Sequence, residues 1–315
     1  MYKFSLILFL LSSIAFGQEN ENDTIIITKT YSQRWELTDA DKNGTFRLMS
    51  YKPIYITAGR ISSYPNKQPK SENPDYSATE SSPYNNVEAK FQLSFKTKVV
   101  QDLLWGKGDI WIGYTQKAHW QIYNSDISRA FRELNYEPEI IFKYPMRFNF
   151  LGGQFKSVGI TLNHQSNGKN LPTSRSWNRV IFHTGYEIDN WIITLNPWIR
   201  LSDDEDENPK ITKYIGDGEL NVAYTYNRHQ FYTIITHPFS SWEGGSIQLN
   251  YVFPIKGHLR GQVQLFDGYG ETMIDYNHRQ TTLGIGISFA DWWKFNLVNS
   301  PQFSKHTFHH QLPLK

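Results

Sequence analysis

The chain reads as an all-β protein, a transmembrane antiparallel β-barrel of about twelve strands, and three observations predict it. Apolar residues alternate with polar or small ones in segment after segment from Phe46 onward, the period of a sheet with one apolar face. Mean hydropathy is only −0.54 although 16% of the residues are aromatic. A barrel in lipid needs only every second residue apolar, with aromatic girdles at both interfaces, whereas a soluble globule of this length normally carries longer apolar runs. The connections between segments alternate between long and polar and short and tight, as loops and turns do in outer-membrane barrels.

Taken in order, residues 1–17 carry Lys3, an apolar run from Phe4 to Leu11 and then Ala15-Phe16-Gly17. That is a signal peptide with a small-x-small cleavage site, too short to span a bilayer as a helix. Gln18 is the expected mature N-terminus, and residues 18–44 are a polar periplasmic lead-in. Within it Asp39-x-Asp41-x-Asn43-Gly44 opens like a calcium loop, but Ser50 stands where the twelfth-position Glu belongs, so the stretch reads as a turn. The barrel is expected over 45–293, with segments near 46–59, 87–99, 108–123, 135–146, 150–166, 176–188, 190–202, 215–227, 228–238, 244–254, 257–269 and 279–292. Ile247, Leu249, Tyr251 and Phe253, for instance, alternate with Ser246, Gln248 and Asn250. Long connections follow odd segments, as at Ile61 to Asn86 and Asn167 to Arg175. Short ones follow even segments, as at Tyr144-Pro145-Met146-Arg147, Asp189-Asn190 and Asn227-Arg228-His229. Long loops face outward and short turns face the periplasm, so the fifth strand runs outward. Lys98, Lys117, His119, Arg179, Arg200 and Arg260 fall mostly on the inward parity, the charged filling of a barrel interior. Residues 294–315 form a polar periplasmic tail in which His306, His309 and His310 are either a metal-binding cluster or part of a solvated extension.

No cysteine is present and the formal net charge is +2. A disulfide framework and a thiol nucleophile are therefore excluded, and nothing suggests nucleic acid as a partner.

The chemistry concentrates in Leu162 to Arg179, LNHQSNGKNLPTSRSWNR. Residues two apart on a strand share a face, so His164 and Ser166 stand side by side with Ile160 and Leu162 on the lipid-facing wall. Asn178, on the next strand, shares a face with Val180 and Phe182. A nucleophile (Ser166), a general base (His164) and an amide that orients the imidazole (Asn178) then meet on an apolar surface. An amide suits that place, because a carboxylate facing lipid is expensive to keep charged. Taken alone, a Ser two residues from a His is common in strands, and the pair also reads as polar girdle groups. Gln116 has the outward parity of Ile110, Ile112 and Tyr114, and an unpaired amide there calls either for a partner across a two-fold interface or for headgroup water.

The constellation resembles the outer-membrane phospholipase A family, whose His-x-Ser pair and downstream Asn form a Ser-His-Asn triad. The match runs through HxSNG and PTSRSWNR, FRELNYEPE (Phe131 to Glu139), NPKITKY (Asn208 to Tyr214) and GYGETMIDYN (Gly268 to Asn277). It covers roughly Phe46 to Trp293; the leader, the residues before Phe46 and the tail lie outside it. The resemblance implies a calcium-dependent (Ca2+) carboxylic ester hydrolase, a phospholipase A1/A2 and lysophospholipase. It would act on membrane phospholipids in the bacterial outer membrane, with its site toward the outer leaflet. It implies the backbone amide of Gly168 at the oxyanion, and calcium held by the carbonyl of Lys169, the side chain of Ser174 and the partner subunit's Ser128. It also implies an active homodimer with Gln116 in the contact. Two departures stand out: Lys169 replaces a frequent Arg, and Ser-Arg-Ala-Phe after Ile127 replaces a frequent Ser-Ser-Pro-Phe. The alternative on alternation alone is a non-enzymatic barrel, a small porin or an adhesin.

Overall fold

A computed structural model describes residues 26–28, 30–129, 131–237, 243–257, 259–290 and 295–297. Twelve strands close into an antiparallel barrel: β1 (Ile54–Ser62), β2 (Val87–Asp102), β3 (Gly108–Trp120), β4 (Phe131–Phe150), β5 (Gly153–Ser166), β6 (Ser176–Ile188), β7 (Trp191–Leu201), β8 (Gly218–Tyr226), β9 (His229–His237), β10 (Ser246–Lys256), β11 (Leu259–Tyr269) and β12 (Arg279–Ala290). Each pairs with its sequence neighbours, and β12 pairs with β1, so no edge is left open. Closure gives each strand a hydrogen-bonded neighbour on both sides, which a segment in lipid requires. Alternation does the rest. Ile56, Leu93, Ile112, Ile140, Leu162 and Ile199 are exposed on the outer wall, while Lys90, Ser94, Thr115 and Glu139 are buried inside. No helix among the described residues is long and apolar enough to cross a membrane; the strands do so.

Three differences from the sequence expectation bear on the fold. The first strand begins at Ile54 rather than near Phe46, because Pro53 interrupts the run; upstream, Met49–Ser50 pair with Lys96 and Phe95 of β2, and the Phe46 N–H donates to the Lys98 carbonyl at 2.8 Å. The expected turn at Tyr144 to Arg147 is strand: β4 continues to Phe150 and the chain reverses at Leu151 and Gly152, both at positive φ. Pro145 lacks an N–H, and the ladder to β5 absorbs it by a register shift between Pro145 and Phe148, a bulge of the kind that tolerates proline. Phe148, Phe150, Phe155 and Tyr186 pack there as part of the periplasmic aromatic girdle.

The third difference is the lead-in. Residues 18–44 are not uniformly outside the barrel unit, which begins at Lys29. A short helix, α1 (Tyr31–Trp35), starts in a capping box of Thr30 and Gln33 and ends at Glu36 in the left-handed region. Tyr31 and Trp35 join Tyr51, Trp111, Ile141 and Ile192 in a buried cluster that fills the periplasmic half of the lumen. Lys96 and Lys143 lie over the Trp35 ring at 3.1 and 4.4 Å. The Asp39-x-Asp41-x-Asn43 stretch is a 3-10 turn whose Asn43 side chain donates to Glu36.

A second apolar cluster, Trp177, Ile181, Trp198, Ile211, Met273 and Tyr276, fills the outer half. Met273 and Tyr276 come from the 270–278 connection, which folds back into the barrel: Glu271 to Tyr276 are all buried. Glu88 binds Arg60 at 2.8 Å and Arg132 at 2.8 Å, and Arg132 reaches Asp275 at 3.1 Å. The inward charges expected as structural filling take part: Lys98 pairs with Glu36 and Asp109, and Arg179 with Glu137. Between the clusters lies a cavity of about 210 Å³ lined by Lys52, Glu137, Glu139, Arg179 and His183 among others. Separately, the backbones of Ile26–Thr28 and Phe295–Leu297 form a small antiparallel ladder. The signal peptide, most of the lead-in before residue 30 and the histidines of the tail lie outside the described residues.

Candidate active site

His164 and Asn178 are register partners on β5 and β6, both on the outward parity. The His164 Nδ1–H donates to Asn178 Oδ1 at 2.8 Å. This leaves Nε2 as the acceptor, the tautomer a general base needs. Ser166 lies two residues further along β5, an advance of roughly 6.8 Å, on the same face and half-buried where His164 is exposed. Beneath them Leu162 and Ile160 face lipid. The opposite parity is packed: Asn163, Trp177 and Arg179 are buried in the lumen, and Arg179 donates to Asn163 Oδ1 at 2.7 Å. The outward groups thus stand on a rigid wall. The lumen cavity is on the other side of that wall and includes neither His164 nor Ser166 in its lining.

The register also aligns other expected residues. Ser166 pairs with Tyr136 on β4, and Tyr136 pairs with Gln116 on β3. Gln116 and Ser166 therefore share one row of the wall, two strand spacings or about 9.6 Å apart. Gln116 is not wholly unpaired, since the Tyr114 hydroxyl donates to its Oε1 at 3.2 Å; its NH2 group is what remains to be offered. Gly168 sits at φ +63, and a Cβ there would lie 2.9 Å from the Tyr136 ring, so both backbone and space demand glycine. Ser128 lies beyond β3, where the Trp120 indole donates to its carbonyl at 2.7 Å. Ser128 thus belongs to the outer end of the strand that carries Gln116.

The 167–175 loop is organised by Asn167, which sequence reasoning passed over. Its Oδ1 accepts from the Arg175 N–H at 2.9 Å and the Lys169 N–H at 3.3 Å, and its Nδ2 donates to the Thr173 carbonyl at 2.8 Å. Ser174 Oγ donates to Glu207 Oε1 at 2.7 Å. Glu207 comes from the 202–217 connection, held by the 63–86 connection: Ser71 Oγ donates to the Glu207 carbonyl at 2.7 Å and Asn73 Nδ2 to that of Asp206 at 3.0 Å. There Glu72 accepts from the Tyr214 hydroxyl, and this bond, with burial, pushes the phenol up to about 12. The only sequence signal for Glu207 was its place beside the NPKITKY motif.

A closed barrel with a serine, a histidine and an amide together on its lipid-facing wall is the arrangement expected of an outer-membrane hydrolase. The comparisons narrow it. The phospholipase A1 family profile matches residues 31–289. The chain is 35% identical over 285 residues to the putative phospholipase A1 of Neisseria meningitidis serogroup B, covering 88% of this chain and 74% of that one. It is 37% identical over 204 residues to the phospholipase A1 of Escherichia coli K12, covering 65% and 70%. Among solved structures, outer membrane phospholipase A from Escherichia coli superposes with a TM-score of 0.70 at 33% identity, covering 78% of this chain and 99% of that one. The Salmonella typhi outer membrane phospholipase, a dimer with bound calcium, does so at 0.70 and 31%, covering 80% and 95%. The chain belongs to the phospholipase A1 family: it is a bacterial outer-membrane phospholipase, a carboxylic ester hydrolase. The porin or adhesin alternative falls.

Proposed function

We propose that the enzyme hydrolyses acyl esters of glycerophospholipids and lysophospholipids through a Ser166-His164-Asn178 triad on its lipid-facing wall, near the outer leaflet. The observation that carries this reading is the 2.8 Å bond from His164 to Asn178, made on the one surface where a lipid ester arrives from outside the barrel. Ser166 Oγ attacks the ester carbonyl while His164 Nε2 takes its proton. The tetrahedral intermediate collapses as that proton passes to the leaving glycerol oxygen and the C–O bond breaks. Water, deprotonated by the same nitrogen, then attacks the acyl-enzyme; the bond to Ser166 Oγ breaks as the proton returns to that oxygen, and the fatty acid leaves. The Gly168 N–H donates to the developing oxyanion.

Asn178 brings no charge to the imidazolium, so a cation at the oxyanion would supply the missing electrostatic stabilisation. The donor set fits calcium. The Lys169 carbonyl, the Ser174 hydroxyl and the partner subunit's Ser128 are hard oxygens, the type calcium takes. Beside Ser174 the Glu207 carboxylate keeps its Oε2 buried without a hydrogen bond, an unsatisfied anionic oxygen of the kind a cation relieves. The same geometry supports a dimer: one outward wall by itself encloses no acyl chain, and Gln116 shares its row with Ser166. A two-fold contact through β3 would build the cleft and bring in the partner subunit's Ser128.

Fatty-acid release from phosphatidylethanolamine by purified protein, with calcium and with chelator, tests the reading. Ser166→Ala is expected to abolish release while leaving the heat-modifiable migration of the folded barrel unchanged. Release within a few-fold of wild type in Ser166→Ala would end the serine-hydrolase reading.

A further inference from the structure

We propose that the Lys169 side chain is a positioning strut, tying the oxyanion and cation loop to the barrel lumen through Glu133. Its backbone is a proposed calcium ligand, so the identity of its side chain has no bearing on a reading confined to that carbonyl. The geometry gives the side chain a role of its own. Lys169 Nζ lies 2.6 Å from the Arg132 carbonyl and 3.1 Å from Glu133 Oε2. The Glu133 side chain is 0% exposed and that of Lys169 is 28% exposed, so the contact runs from loop to interior and is unlike a surface pair between two mobile chains.

Glu133 is itself fixed. Its Oε1 accepts from Asn135 Nδ2 at 2.9 Å and from the Ile274 N–H at 3.1 Å. Asn135 Oδ1 accepts from the Met273 N–H at 3.0 Å. The adjoining Arg132 is held by Glu88 and Asp275. The post therefore belongs to the packed network formed by β4 and the folded-in 270–278 connection. From it the strut reaches the backbone immediately after Gly168, whose N–H and the following carbonyl are the two groups that must point at the reacting oxygen and the cation. Asn167 closes the base of the loop, whereas Lys169 Nζ ties its middle to another strand. The pairing also has an electrostatic consequence: an ammonium beside a cation site repels the cation, and Glu133 offsets that charge. The proposal rests on the triad and calcium reading above.

The test measures fatty-acid release by the full-length enzyme against calcium concentration, with heat-modifiable migration as the check on folding. Lys169→Met keeps the stem and removes the charge and donors. It is expected to raise the half-maximal calcium concentration about tenfold, the usual scale for losing a partner behind a ligand, and to lower the rate at saturating calcium less. Lys169→Arg, which retains a cation and donors, is expected to stay within about twofold of wild type. Glu133→Gln, isosteric and unable to offset the charge, is expected to move in the direction of Lys169→Met. The double variant Lys169→Met/Glu133→Gln is expected to be no worse than Lys169→Met alone, because Glu133 acts on the loop only through Lys169. A calcium response of Lys169→Met that superimposes on wild type, or a double variant showing the product of both losses, overturns the strut. The underlying chemistry fails separately: it falls if Ser166→Ala still hydrolyses lipid, whatever Lys169 does.

Discussion

Asn178→Ala removes the hydrogen bond between two members of the proposed triad. The Nδ1–H of His164 donates to Asn178 Oδ1 at 2.8 Å, across a register pair that needs no movement to form. In the resting enzyme the imidazole is neutral, and such a bond contributes about 1 kcal/mol net. When the ring takes the Ser166 proton it becomes charged, and a hydrogen bond to a charged group contributes roughly 1.5–3 kcal/mol. Only the difference, about 0.5–2 kcal/mol, lowers the barrier, which is roughly 2- to 30-fold in rate. Removing the amide keeps the proposed nucleophile and base and the fold: Asn178 is a half-buried outward group, and its neighbours Trp177 and Arg179 hold the strand from the lumen side. The expected outcome is a fall of about tenfold in kcat at saturating calcium, against complete loss in Ser166→Ala. Initial rates of fatty-acid release from mixed micelles, over a range of lipid mole fractions, separate kcat from KM. A rate within twofold of wild type would show that the bond does not orient the ring in the reacting state. A loss as complete as that of Ser166→Ala, with migration unchanged, would show that Asn178 does more than orient it. Either result refutes the differential hydrogen-bond argument.

Three other outcomes follow from single observations. Gly168→Ala puts a Cβ 2.9 Å from the Tyr136 ring at φ +63; displacing one oxyanion donor costs about 10²–10³ in kcat, so activity is expected to fall about a hundredfold while the barrel still folds. Gln116→Ala is expected to weaken dimerisation by about 1 kcal/mol, the scale of intramembrane hydrogen bonds, read by sedimentation in detergent with calcium and a substrate analogue. Trp35→Ala opens a cavity beneath Lys96 and Lys143 in the periplasmic half of the lumen. It is expected to cost about 3–5 kcal/mol of unfolding free energy, seen as a lower urea midpoint in lipid, with little change in the rate of the enzyme that remains folded.

Strand number, inside and outside, and the lipid-facing position of His164 and Ser166 were legible in the sequence. Each depends on a period of two along one strand and on the length of the adjacent connection, both local properties. Pro145 misled for the same reason. It marks a turn locally, and only the partner strand decides that a bulge at Pro145 and Phe148 absorbs the missing donor. The plug at Tyr31 and Trp35 was invisible because five residues make no periodic signal, and their burial is set by Tyr51, Trp111 and Ile192, distant in sequence. At the site, parity alone faces His164 and Asn178 the same way, but the register of β5 against β6 is what brings them to 2.8 Å. The row joining Gln116, Tyr136 and Ser166 is likewise a matter of shear between three strands. The ties from Lys169 to Glu133 and from Ser174 to Glu207 belong to tertiary structure entirely. They join loops and strand ends tens of residues apart, and pairing of that kind is decided by where the closed barrel brings the loops together.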